Sequence, residues 1–180
     1  MDTQRVQVAL ERLGPGLSKY QMLLQTLYRT DVSRDRDFQR KYNGFFRMQR
    51  RSPEFYDFYF SLLEKKKYKG SSFGEILDEI YRNTHRMEAS FSSKMLSVID
   101  PSYPVWDRYV LTNLGLKAPP SYAKDREEKV ILLYEAIVDW YASYLKTEEA
   151  AGLIQKFDTM YPHANITDIK KLDLIIWQMR

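Results

Sequence analysis

From Val6 to Met179 the apolar residues of this chain return every three or four positions, and no segment of useful length alternates with a period of two. Such spacing lays apolar side chains along one face of an α-helix and gives a β-strand no face to bury, so it predicts an all-α protein. The first stripe is Val6, Ala9, Leu10 and Leu13, and Gly14-Pro15-Gly16 is expected to stop it. Further stripes follow at Tyr20–Tyr28, Phe38–Phe46, Phe55–Leu63, Phe73–Tyr81 and Phe91–Ile99. Two of these have explicit start signals. Pro53 after Ser52 suits a first helical position, and Ser72-Phe73-Gly74-Glu75 reads as a capping box.

Asp100-Pro101-Ser102-Tyr103-Pro104 reads as a rigid turn, because each proline disfavours α geometry in the residue before it. Val105, Trp106, Tyr109, Val110 and Leu114 are expected to continue as a helix ending at Gly115. The longest helix is expected over about 125–146 with Asp125 as its N-cap, then a short one marked by Ala151, Ile154 and Phe157, and a last one carrying Ile169, Leu172, Ile176 and Met179. The sum is a single compact domain of nine or ten helices over residues 1–180, with 117–124 as the candidate internal boundary at Ala118-Pro119-Pro120-Ser121. An aromatic content of 14% supplies a core for it.

Several chemistries are excluded by what is missing. With no cysteine there is no disulfide, thiol nucleophile or zinc–thiolate site. His85 and His163 are distant in sequence, and no HxxxH, GxxxxGK[ST], GxGxxG or GxSxG pattern occurs, so neither a metal nor a small-molecule cofactor is expected. Glu75 and Glu79 lie one helical turn apart, which suits either paired-acid chemistry or an ordinary wet helix face. The N-terminal Met1-Asp2-Thr3-Gln4-Arg5 is polar, and the longest apolar run, Val130–Tyr134, is far below the roughly 20 residues of a spanning helix, so no membrane partner and a cytoplasmic location are expected.

The net charge of +4 is unevenly placed. Residues 29–69 hold 12 Lys/Arg against 6 Asp/Glu, a net of +6, and the rest holds 16 against 18, a net of −2. Arg47, Arg50 and Arg51 cluster after one stripe, and Lys65, Lys66, Lys67 and Lys69 after the next. Cations at helix C-termini complement the macrodipole, and the same cluster also matches a phosphate-binding surface.

The segment from Arg86 to Leu116 combines small residues (Ala89, Ser90, Ser92, Ser93), a proline-stiffened turn, and Pro104-Val105-Trp106-Asp107 at the start of a helix. Over about Phe73–Leu116 it resembles the helix-hairpin-helix DNA glycosylase superfamily, in which a hairpin and its second helix lead through a short turn to Pro-Val-Asp. Pro104–Asp107 is a version longer by one residue, and the closing Leu172–Gln178 resembles the end of an uncharacterised bacterial branch built on this plan. The resemblance implies double-stranded DNA as partner, Asp107 as a catalytic acid, Lys94 as a candidate nucleophile, and Arg86 and Arg108 beside Arg47, Arg50 and Arg51 as phosphate contacts. Two family features differ. The hairpin region, about Thr84–Ala89, has no glycine, and counting back from Asp107 by the family spacing reaches Met87-Glu88 instead of a lysine. Read on the residues alone, Asp107 is equally a helix cap, Trp106 a core residue and Lys94 a solvated helix residue. The expected function is therefore nucleic-acid binding on a divergent glycosylase-like scaffold, with or without base excision. The alternative is a helical protein-interaction or regulatory module.

Overall fold

The computed structural model describes residues 2–179. It contains ten helices, and no strand among the described residues. The chain divides into two compact units: Met1–Pro15 with Pro101–Arg180, and Gly16–Asp100. The proline pair at 119–120 lies inside the first of these.

The continuous unit holds most of α2 (Gly14–Leu27), then α3 (Arg36–Phe46), α4 (Pro53–Lys66), α5 (Phe73–Thr84) and α6 (Ala89–Ile99). Its helix starts follow the sequence signals. Ser52 caps α4 with Pro53 in the first turn, and Ser72 and Glu75 form the reciprocal capping box of α5. The core is aromatic: the Tyr42 ring meets those of Phe46, Tyr59 and Phe60 at centroid distances of 4.7, 6.0 and 5.4 Å. Two of its buried hydroxyls form a chain, Tyr42 and Tyr59 sharing a 2.8 Å hydrogen bond while Tyr59 donates to the Phe91 carbonyl at 2.9 Å. Burial pushes both phenols well above their ordinary range, so they stay neutral donors.

Lys67 belongs to this interior too. Its side chain is 1% exposed, pairs with Glu64 at 2.7 Å, and donates to the carbonyls of Leu27 and Thr30. The ammonium thus satisfies a carbonyl at the end of α2 that has no intrahelical partner.

The discontinuous unit holds α1 (Thr3–Glu11), α7 (Arg108–Asn113), α8 (Arg126–Tyr144), α9 (Glu148–Met160) and α10 (Asp168–Gln178). Helix α10 packs against α1, α7 and α9 and is buried on nearly every side from Leu172 to Trp177. Asn113 donates to the carbonyls of Ile176 and Met179 at its C-terminal end, and Arg5 from α1 also reaches Met179.

Four local expectations change. Gly14-Pro15-Gly16 forms the first turn of α2, where proline's missing N–H is harmless, and α1 has already ended at Glu11. Val105 and Trp106 are not helical; α7 starts only at Arg108, with Asp107 as its N-cap. Asp125 occupies the N-cap of α8 but in a left-handed conformation (φ 54°), without a side-chain capping bond. Helix α9 buries Ala150 and Leu153 with Phe157, so its inward face is displaced by one residue from the Ala151 and Ile154 expected. At Gly115, φ is +70° and the Leu116 N–H bonds back to the Leu111 carbonyl, the glycine-dependent stop that the sequence indicated for α7.

Candidate functional site

The turn that leads to Asp107 is held peptide by peptide. Thr167 donates to the Pro101 carbonyl at 2.8 Å, Lys170 Nζ to Tyr103 at 3.3 Å, and Tyr134 to Pro104 at 2.9 Å. The Val105 N–H donates to Asp173, 3.2 and 3.3 Å from its two carboxylate oxygens. Asp173 and Lys170 are both nearly inaccessible and pair at 2.8 Å, and Asp173 accepts a further hydrogen bond from the Tyr141 hydroxyl. A helix starting at Val105 would place its first bond on the Pro104 carbonyl, which accepts from Tyr134 instead, and α7 starts after the Asp107 cap. Trp106 is buried, as a core residue would be. Asp107 is half-buried and accepts from the Tyr109 N–H at 2.9 Å. Exposed Arg108 lies 4.8 Å from the Tyr109 ring centroid and donates to the Tyr109 hydroxyl.

Lys94 is not solvated. It is 4% exposed on α6 among Ser92, Ser93 and Ser97, all fully buried, with Nζ 5.5 Å from the Phe91 ring centroid. It belongs to the continuous unit, and Asp107 to the discontinuous one.

The arginines of the continuous unit divide into two kinds. Arg51, on the α3–α4 loop, is a brace. Its Nε and Nη2 donate to the two carboxylate oxygens of Glu88 at 2.9 and 2.8 Å, and Nη1 donates to the Arg50 carbonyl at 2.9 Å. Its guanidinium also lies 5.0 Å from the Phe91 ring centroid. Arg47 and Arg50, on the same loop, are exposed, adopt left-handed backbone at φ 53° and 62°, and make no ion pair among the described residues. Arg86, on the α5–α6 loop, is 63% exposed, with its Nε 3.5 Å from a Glu88 carboxylate oxygen. Arg50, Arg51 and Arg86 line one pocket of about 300 Å³, together with Ser52, Glu54, Asn83, Thr84 and a wall of Phe55 and Phe58. Arg47 is not among its lining residues, and Arg108 lies in the other unit.

Much of the remaining positive charge is internally engaged. Lys66 and Lys65 pair with Glu79 at 2.6 and 3.4 Å, and Lys67 is the strut described above. The hydrogen bond from Lys66 holds the Glu79 carboxyl below its usual range, and the Ser72 N–H does the same for Glu75. Glu75 and Glu79 are thus a cap and an ion-pair hub, and no cluster of three or more metal-ligating groups occurs among the described residues. No helix of the described residues is long and apolar enough to cross a membrane. Sequence reading identified Lys94 and the arginine cluster but missed Lys170, Asp173 and Glu88. Only Asp173, a charge in the middle of the apolar run Leu172–Trp177, carried a visible signal.

The chain matches no family model, no curated protein and no solved structure.

Proposed function

We propose that this chain binds duplex DNA through the arginine pocket of its continuous unit, on a divergent helical scaffold like that of the helix-hairpin-helix glycosylases. The observation that carries the reading is the convergence of Arg50 and Arg86, from two different loops, on one pocket in which the third arginine, Arg51, is engaged by Glu88. Two guanidiniums with unengaged donors beside a concave surface suit a phosphate, which a planar donor fork recognises well. Helices α5 and α6 pack together across the four-residue turn 85–88, which supports the hairpin resemblance. The turn has no glycine to expose bare backbone N–H groups, so in this reading Arg86 supplies the phosphate contact. Glu54, also on the pocket wall, would disfavour a second phosphate close by.

The test is the affinity for a short labelled duplex as a function of salt. Each phosphate contact contributes a slope of about −0.9 in log K against log salt, so Arg50→Ala and Arg86→Ala should each make the slope shallower by about that amount. Duplex affinity that is absent at low salt, or insensitive to salt, would refute the reading and favour the helical interaction module. Excision is read separately, by base release from damaged duplexes with borohydride trapping. Product that falls in Asp107→Asn would assign chemistry to that carboxylate, and an unchanged rate would remove it.

A further inference from the structure

We infer that Arg51 and Glu88 form a positioning pair that keeps Arg86 available to an anion; this rests on the duplex-binding reading. Glu88 is only 12% exposed and stands where both arginine-bearing loops meet. Its carboxylate has two cationic neighbours of unequal standing. Arg51 takes both oxygens in a forked pair at 2.8–2.9 Å, whereas Arg86 approaches one oxygen through Nε at 3.5 Å and makes no hydrogen bond to it. A carboxylate this enclosed requires a cation, and the better-placed arginine supplies it. With Arg51 in the fork, Arg86 keeps its guanidinium turned to solvent. The Arg51 Nη1 bond to the Arg50 carbonyl fixes the neighbouring residue in its left-handed conformation, which ties Arg50 to the same support. Phe55 and Phe91 flank the Arg51 guanidinium at 5.8 and 5.0 Å, so the fork is packed in place.

The consequence is a sign that ordinary loss of contacts does not give. Without Arg51, Glu88 recruits Arg86, and a residue that touches no phosphate removes a phosphate contact. Without Glu88 as well, Arg86 is released. The experiment measures the salt slope of duplex binding for wild type, Arg51→Ala, Glu88→Ala and the double variant, with circular dichroism to confirm that each is folded. The expected result is a slope shallower by about 0.9 in Arg51→Ala, restored to near the wild-type value in the double variant. An unchanged slope in Arg51→Ala, or a double variant as shallow as the single one, would overturn the pairing. If Arg51→Ala does not fold, Arg51→Gln serves instead. It keeps a polar side chain at the site but cannot neutralise Glu88, so the same shallower slope is expected, and an unchanged one would be fatal. Wild type without salt-dependent binding is a distinct outcome, which removes the duplex reading itself.

Discussion

Replacing Asp173 by Asn is the sharpest test of how the turn before α7 is held. The two side chains have nearly the same volume, so no cavity forms, and the change isolates charge and hydrogen bonding. Three donors share this carboxylate, and an amide offers them one uncharged oxygen in place of two: the Lys170 ammonium at 2.8 Å, the Val105 N–H, and the Tyr141 hydroxyl. Lys170 is 2% exposed, and its ammonium would keep the Tyr103 carbonyl at 3.3 Å but lose the negative charge beside it. Removing one partner of a buried ion pair costs about 3–5 kcal/mol. A surface pair such as Arg36–Asp57, at 2.9 Å with both side chains more than half exposed, contributes about 0.2–1 kcal/mol at best. We expect Asp173→Asn to cost about 3–5 kcal/mol, a large part of the roughly 5–15 kcal/mol that holds a typical protein folded. The assay is urea unfolding of Asp173→Asn, Lys170→Met and the double variant, followed by tryptophan fluorescence, since Trp106 and Trp177 lie on the elements concerned. Neutralising both partners leaves no buried charge without a counterion, so the double variant should be less destabilised than the sum of the singles by more than about 1.5 kcal/mol. A coupling below about 0.5 kcal/mol, or an Asp173→Asn cost below about 1 kcal/mol, would refute the assignment of the pair as the clamp on this turn.

Two further outcomes follow from the continuous unit. Tyr59→Phe takes the hydrogen-bond partner from the Tyr42 hydroxyl and a donor from the Phe91 carbonyl, and should cost about 1–3 kcal/mol in chemical denaturation, whereas an exposed Tyr68→Phe should cost almost nothing. Acid should weaken the protein through carboxylates that its own donors hold low: Asp35, by the Phe38 N–H and the Thr30 hydroxyl; Glu75, by the Ser72 N–H and the Ser71 hydroxyl; and Glu79, chiefly by Lys66. Since their folded values lie below the unfolded ones, this stability is complete above the ordinary carboxylate range near pH 4 and is lost as pH falls through the depressed values. Melting temperature measured from pH 6 to pH 2 should therefore decline only below about pH 4, and Glu79→Gln should flatten that decline.

What was legible in the sequence was whatever neighbours decide. The cap residues Ser52 and Ser72, the proline at the start of α4 and the glycine after α7 act within four residues of themselves, and each appears in the structure as its chemistry indicates. What was illegible depends on distant partners. Val105 and Trp106 carry a helical pattern, but the Pro104 carbonyl that would receive their helix's first bond accepts from Tyr134, 30 residues on. Lys67, Lys94, Lys170 and Asp173 interrupt apolar faces and look solvent-facing by type, yet burial encloses all four. The candidate site shows the same division. The arginine cluster was visible as charge along the chain, but only coordinates distinguish Arg51, engaged by Glu88, from the exposed Arg50 beside it.

The discontinuous unit has a consequence for synthesis. Val6, Ala9 and Leu10 leave the ribosome long before α10, and Leu10 ends with no exposed surface, packed in a unit whose central helix is residues 168–178. At about 5–20 residues per second, those α1 side chains wait roughly 8–33 seconds for α10 to be made. The continuous unit is complete well before that and can fold while α1 is still without its partner. For that interval the apolar face of α1 is without the helix that covers it, and Arg5 without the Asn113 and Met179 oxygens it bonds in the folded unit.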